Sequence, residues 1–238
     1  MRGVTERRKK RQSGQEILEF ALVVTFLVPM LLGSFVVGTS IIKNLQANQV
    51  VRDLDNIYIH GGDFSTYPMQ QLAQRLGQGL NIQFPAFGSG VTNSQSNTGS
   101  SGDGLIWVSQ VMYIGATTDP NCVAVGASNC TNHDSFVFTQ RIVFGNSSLN
   151  STNPSSLGDP TGATLTTAGI VQNYVTDGTA KLGASGQNAM SSRWQTTSNG
   201  QTPLSDGQVV YVVEGYFQTP YLSLGSFTSK GAYARSFF

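Results

Sequence analysis

The segment from Arg7 to Ile42 decides how this chain folds, and it reads RRKKRQSGQEILEFALVVTFLVPMLLGSFVVGTSII. A basic cluster leads to Gly14, and five residues later Glu19 opens a long apolar run. The run from Phe20 to Ile42 contains 23 residues and no charged side chain. As an α-helix it would extend about 35 Å, which is enough to cross the hydrocarbon core of a bilayer with some tilt. The segment therefore predicts a transmembrane helix with one carboxylate at its start.

The distribution of charge predicts the orientation of that helix. Six of the 14 basic residues lie in the first eleven positions, whereas the residues after Lys43 include seven basic and ten acidic ones. Because basic residues that flank an apolar span stay in the cytoplasm, we expect the large C-terminal part to cross the membrane. No later basic patch with interleaved aromatic residues is present in the sequence, so nucleic acid is not an expected partner.

The helix is expected to continue beyond the membrane as an amphipathic segment. Its apolar stripe comprises Ala47, Val51, Leu54 and Tyr58, and the other positions include Asn48, Arg52, Asp55 and Asn56. Gly61-Gly62 marks the C-terminal end. One helix from Glu16 to Ile59 would be about 66 Å long, and we expect a bend at Pro29 because proline removes a backbone hydrogen bond.

The rest of the chain predicts a β-rich body, because only 11% of the residues are charged and Gly, Ser, Thr and Asn are abundant. A helix is expected at Tyr67–Gln78, and strands at 105–114, 136–144, 208–218 and 226–236. The low-complexity segments 88–103, 145–168 and 183–201 predict loops, and residues 168–182 fit either a short helix or a strand. Period-2 alternation would place Phe136, Phe138, Ile142 and Phe144 on one face of their strand, and Thr139 and Arg141 on the other. Three or four antiparallel strands with one helix across them predict an α+β fold.

Two cysteines, Cys122 and Cys130, lie between the first two predicted strands. In an exported domain an even number of cysteines indicates a disulfide, which would close a short loop at the tip of a hairpin. Two free thiols are the alternative. A metal site would need further ligands, and although His133 is close in sequence, no fourth group is supplied, so no metal is expected.

The stretch from Gly14 to Val23, GQEILEFALV, resembles the leader of prepilin-type proteins, in which a basic segment ends in Gly and Glu follows five residues later. More narrowly, EFALV after this spacing resembles the TadE-like family, the pseudopilins of the tight-adherence (Flp) pilus. The family's C-terminal pattern corresponds here to Val210–Tyr216, Pro220–Leu224 and Gly231–Arg235. The resemblance covers residues 7–60 and 205–238. The chain departs from the family at Pro29, which lies ten residues after Glu19 and further from it than the family's usual proline.

This resemblance implies a processed membrane protein that assembles with others. A prepilin peptidase on the cytoplasmic side would cut between Gly14 and Gln15, where glycine leaves the backbone unshielded and able to extend. Glu19, followed by Phe20, would then pair with the new amine of a neighbouring subunit, because a charge in lipid is costly unless it is paired. The expected partners are other pilin or pseudopilin subunits, the inner-membrane pilus assembly platform, the prepilin peptidase and the membrane itself.

The implied domain organisation has three parts. Residues 1–14 would be a cytoplasmic leader, 15–43 a single transmembrane helix in the bacterial inner membrane, and 44–238 a pilin-like α+β domain in the periplasm or on the cell surface. An uncleaved, signal-anchored periplasmic binding or sensory domain is the main alternative, and an adhesin that binds a ligand through its Ser/Thr/Asn/Gly loops is another. We do not expect an enzyme or a cofactor, since neither histidine, His60 or His133, belongs to a recognisable catalytic constellation.

Overall fold

The computed structural model describes residues 3–78, 96–99, 101–151, 154–195, 204–218, 223–224, 227–228 and 231–238, with 3–14, 97, 223–224 and 227–228 described by their backbone alone. The helices are α1 (Gly3–Ile59), α2 (Tyr67–Gln78), α3 (Pro120–Val125) and α4 (Ala184–Trp194). The strands are β1 (Ser96–Gly99), β2 (Gly104–Ile114), β3 (Ser135–Asn146), β4 (Val209–Phe217), β5 (Ser223–Leu224), β6 (Phe227–Thr228) and β7 (Ala232–Phe237). A long apolar N-terminal helix followed by a mixed five-stranded sheet gives an α+β fold, as predicted.

Helix α1 is continuous for 57 residues and contains Pro29. Its C-terminal end is confirmed: Gly61 has a φ of 89°, and the amides of Gly61 and Gly62 donate to the carbonyls of Tyr58 and Ile57. Glycine adopts this left-handed conformation without steric cost. The helix begins earlier than Glu16, because the basic leader consists mainly of Arg, Lys, Gln and Glu, which are good helix formers.

The sheet has the strand order β1-β3-β2-β4-β7. The predicted antiparallel pairing holds for β2 with β3, β2 with β4, and β4 with β7, but β1 lies parallel to β3. Strand β1 comes from residues expected to be loop, and its short uncharged sequence, SNTG, carries no apolar alternation. Its register therefore comes from main-chain pairing with β3. The predicted strand at 226–236 is also divided. Its first part contains β6, which pairs with β5 in a separate two-stranded sheet, and its last part belongs to β7 of the main sheet.

A β-bulge in β3 corrects the prediction that four of its aromatic and aliphatic residues share one face. Gln110 pairs with Gln140 but the next residue, Val111, pairs with Phe138, which leaves Thr139 as an extra residue. An extra residue reverses the alternation of side chains across the sheet. Phe136 and Phe138 therefore pack on one face, whereas Ile142 and Phe144 pack on the opposite face.

The face of the sheet that carries Ile142 and Phe144 is covered by α2 and by the C-terminal part of α1, and the predicted stripe of α1 is confirmed. The buried residues that α1 contributes are Ala47, Val50, Val51, Leu54 and Tyr58, with Asp55 between them. Gly215 of β4 permits the close approach, because a Cβ there would lie 2.9 Å from Val51 Cγ2. Since each buried Val or Leu stabilises by about 1.5–3 kcal/mol, this stripe holds the helix firmly on the sheet.

The opposite face, which carries Phe136 and Phe138, is covered by residues 154–195 and 204–208, and these contain one helix that the sequence did not predict. Helix α4 lies in a segment expected to be loop, because its sequence ASGQNAMSSRW includes several weak helix formers. Tertiary contacts favour it instead: Met190 is fully buried, and the Gln187 side chain bonds both the N–H and the carbonyl of Phe136 in β3. Residues 168–182 form turns, isolated bridges and a short 3₁₀-helix at Gly178–Ala180.

Candidate functional site

The N-terminal half of α1 exposes a continuous apolar surface. Sixteen of the 21 exposed large apolar side chains among the described residues lie between Ile17 and Leu45. By length and composition this helix is able to cross a membrane. The first residue of α1 that packs on the sheet is Ala47, only two positions after the exposed surface ends at Leu45. The membrane-length segment and the segment that packs on the sheet are therefore parts of one helix, with no linker between them.

The Gly14–Gln15 peptide lies inside α1, with helical residues on both sides. The Gln15 side chain is exposed. Because a protease binds an extended substrate, cleavage at this bond would need local unwinding, and a glycine in a helix lowers the cost of unwinding by about 0.5–1 kcal/mol relative to alanine. Processing at this bond stays a prediction.

Glu19 and Phe20 lie one turn further along the same helix. Both side chains are exposed, and Phe20 is 71% exposed. Glu19 forms no ion pair with any side chain that the structure describes. Its expected partner belongs to a neighbouring subunit, so the pairing also stays a prediction.

Cys122 and Cys130 form a disulfide in the connection between β2 and β3, far along the chain from Glu19. Both are buried against Ile114, Val137 and Val175. Asp119 caps α3 by accepting from the amide of Asn121 at 2.7 Å, and its second oxygen accepts from the amide of Gly115 at 2.8 Å. The disulfide and this cap fix the outer end of the β2–β3 hairpin.

A buried carboxyl group, Asp55, lies where α1 packs on β7. The sequence pattern predicts a position off the apolar stripe for Asp55, but its side chain is fully buried and faces Ser236. Neither oxygen makes a hydrogen bond of normal geometry with any residue that the structure describes. Burial raises the pKa of Asp55 to about 7, and the Ser236 hydroxyl lowers it only in part. The sequence does indicate this burial, since Asp55 follows Leu54 and lies four residues after Val51 of the apolar stripe.

The opposite face of the sheet contains a buried ionic network around Arg141 of β3. Its guanidinium donates to Asp159 at 3.0 and 2.5 Å and to the Ser109 hydroxyl at 2.6 Å, and lies 3.6 Å from Glu214. Glu214 of β4 is fully buried, and the hydroxyls of Ser155, Ser156 and Tyr233 donate to it. These contacts tie the 155–159 turn to the centre of the sheet.

The sequence did not predict this network, although its two charged strand residues each interrupt an apolar strand. Arg141 stands in FVFTQRIVF and Glu214 in VVYVVEGYF. Burial and the adjacent Glu214 carboxylate raise the pKa of the Tyr233 phenol, so Tyr233 remains a hydrogen-bond donor. Because its members satisfy one another, the network serves as structural support for the loop layer.

Comparison of the chain with protein-family models, with curated proteins and with solved structures finds no match.

Proposed function

We propose that this protein is a TadE-like minor pilin or pseudopilin, which takes part in pilus assembly or adhesion through packing of its N-terminal helix. The observation that carries the proposal is the Gly14–Glu19 spacing at the start of an exposed apolar helix that continues, unbroken, into an α+β body. In this proposal α1 packs against helices of neighbouring subunits, and the sheet domain stays outside the membrane.

The apolar surface of α1 supports helix–helix packing. Leu22, Phe26 and Met30, with their neighbours on the same side, line a shallow concavity of about 570 Å³. Ser34 borders it, and Gly38 lies one turn further on, where an added Cβ would meet nothing within 4 Å. Small residues spaced four apart allow membrane helices to approach closely. A neighbouring apolar helix would fill this surface better than flexible lipid chains.

In this proposal Glu19 determines the register in which the helices of neighbouring subunits pack. A charged side chain inside the hydrocarbon region of a bilayer is costly unless it is paired, so pairing would favour the assembled state. Since no described side chain of the same molecule neutralises Glu19, a positive group from a second subunit would do so. The charge then selects one register of packing between subunits.

An uncleaved, signal-anchored binding or sensory domain is the second candidate function. The observation that favours it is the continuity of α1 through Gly14 and Gln15, since an anchor needs no break at that bond. The two candidates differ in the covalent state of the N-terminus and in the need for Glu19.

The decisive experiment identifies the N-terminus of the protein recovered from membranes of cells with an active prepilin peptidase, using intact-mass and peptide mass spectrometry. The proposed function predicts a chain that begins at Gln15. A Gly14→Leu variant should accumulate at full length, whereas Gly33→Leu, the same change at an open position of the same helix, should be processed normally. Recovery of the wild-type chain with residues 1–14 intact would favour the anchored domain instead.

A further inference from the structure

Strand β7 lies at the edge of the described sheet, and a groove runs along it between α1 and α4. The groove has a volume of about 860 Å³. Its lining comprises residues of the exposed side of α1, residues of β7, and Arg193 of α4. Since β7 is the last strand of the sheet, one side of its backbone pairs with β4 and the other side faces this groove.

The register of β7 fixes which backbone groups face outward. Tyr211 and Phe238 exchange both of their backbone hydrogen bonds, at 2.8 and 3.0 Å. In an antiparallel ladder hydrogen-bonded and non-hydrogen-bonded pairs alternate, so the N–H and C=O groups of Tyr233, Arg235 and Phe237 point away from β4. Within the described part of the chain no other backbone group pairs with them. They form a template for one added strand.

Three arginines concentrate positive charge along this edge. Arg52, Arg193 and Arg235 are three of the seven basic residues after Lys43, and among the described residues of the lining Asp53 is the single acidic one. None of the three forms an ion pair with a described residue. The groove is therefore cationic in a domain that is otherwise mildly acidic.

An aromatic ring orders two of these arginines. The guanidinium carbons of Arg193 and Arg235 lie 4.8 and 4.6 Å from the centre of the Phe237 ring. A stacked guanidinium keeps its N–H groups available at its edge, and less side-chain entropy is lost when a carboxylate binds. Arg235 also donates to the Ser156 hydroxyl at 2.5 Å, which holds it beside the strand.

From this geometry we infer that the β7 edge binds an extended acidic segment of a partner protein, which adds a sixth strand and places alternate carboxylates beside Arg193 and Arg235. Alternate residues of an added strand lie on one face, which matches the positions of Arg235 and Phe237 two residues apart. Pairing between two copies of β7 is disfavoured, because it brings the arginines of both copies together. The opposite edge of the sheet, β1, offers no carboxylate to this groove, since its sequence is SNTG.

The competing explanation is that Arg235 protects an exposed edge against self-association, as charged residues often do. The test uses the full-length chain in nonionic detergent micelles and two fluorescein-labelled, end-blocked peptides, T-E-V-E-V-E-T and T-Q-V-Q-V-Q-T, measured by fluorescence anisotropy. We expect saturable binding of the acidic peptide and at least tenfold weaker binding of the amide peptide. We also expect Arg193→Gln to weaken binding of the acidic peptide by about tenfold, the loss typical of one charge-assisted hydrogen bond. Arg75→Gln, at an exposed position of α2, is the matched control and should bind as the wild type does.

N-methylation of the acidic peptide separates strand addition from simple charge attraction. An added strand bonds β7 through every second residue. Methylation of one alternate set of peptide nitrogens should therefore abolish binding, while methylation of the other set should change affinity less than about threefold. Three results would overturn the inference. They are equal effects of methylating the two sets of nitrogens, equal binding of the two unmethylated peptides, and no binding of the acidic peptide by the wild type. The inference would also be overturned if the Arg235→Gln variant self-associates while the wild type does not bind the acidic peptide. That result would show that Arg235 protects the edge against self-association. Because this test reads neither processing nor assembly, its result is independent of the proposed pilin function.

Discussion

Replacing Asp55 with asparagine should stabilise the protein at neutral pH and remove part of its pH dependence. The carboxyl group is fully buried where α1 packs on β7, Ser236 is the polar side chain that interacts with it, and among the described residues it has no hydrogen bond of normal geometry. Asparagine has nearly the same shape, stays neutral, and has an N–H₂ group that can donate to the Ser236 hydroxyl. The substitution therefore removes the cost of a buried charge and leaves the packing unchanged.

The sign and size of the effect follow from the pKa. Folding raises the pKa of Asp55 from 3.8 to about 7, so the folded state binds this proton more tightly than the unfolded state. The stabilisation from the protonated carboxyl is complete below about pH 3.8 and is lost as the pH rises to about 7. Because one pKa unit corresponds to about 1.4 kcal/mol, the loss at neutral pH is on the order of 4 kcal/mol.

The assay is guanidinium unfolding of the full chain in detergent micelles, followed by the fluorescence of the fully buried Trp107. The same linkage predicts that Asp55→Asn exceeds the wild type by about 4 kcal/mol near pH 7.5 and by about 1 kcal/mol near pH 4.5. Asp53→Asn, two positions earlier and exposed, should show no such difference. A gain that is the same at both pH values, or a loss near pH 7.5, would refute the reasoning.

Three further predictions concern the other groups described above. Glu19→Ala should insert into the membrane normally but assemble poorly into pili, as scored by immunogold microscopy. The control variant Glu16→Ala should assemble normally. Wild-type piliation in the Glu19→Ala variant would contradict the proposed pairing of Glu19. Arg141→Met should lower the free energy of unfolding by about 3–5 kcal/mol, because it leaves the fully buried Glu214 without its cation; a loss below about 1 kcal/mol would show that the hydroxyls alone suffice. The double serine variant of Cys122 and Cys130 should lose about 2.5 kcal/mol for a loop closed over eight residues, and dithiothreitol should affect the wild type but not this variant.

The elements that were predicted correctly are those in which local pattern and tertiary environment agree. The stripe of Ala47, Val51, Leu54 and Tyr58 is both helical in period and buried. Helix α2 has the predicted bounds, Tyr67–Gln78, because Pro68 fits the first turn and its apolar residues recur at helical spacing. The strands at 105–114 and 208–218 are confirmed to within one residue as β2 and β4.

The misses arise where distant residues decide the structure. The extra residue at Thr139 is visible only through its partner strand, since period-2 alternation assumes an unbroken ladder. Helix α4 depends on Met190 burial and on the Gln187 contact with Phe136, 51 residues earlier in the chain. Of the candidate site residues, the disulfide partners were predicted from the even number of cysteines, whereas the burial of Asp55 was not, although Asp55 lies four residues after Val51 of the apolar stripe.

The absence of a linker between the apolar and docked parts of α1 has a mechanical consequence. A force directed along the helix axis reaches the sheet without first straightening a flexible tether. Because the docked stripe from Ala47 to Tyr58 runs along that axis, the force acts on its contacts in shear, so they bear the tension together and are not peeled apart one by one. The helix thus transmits tension or rotation from its exposed apolar part directly to the sheet domain.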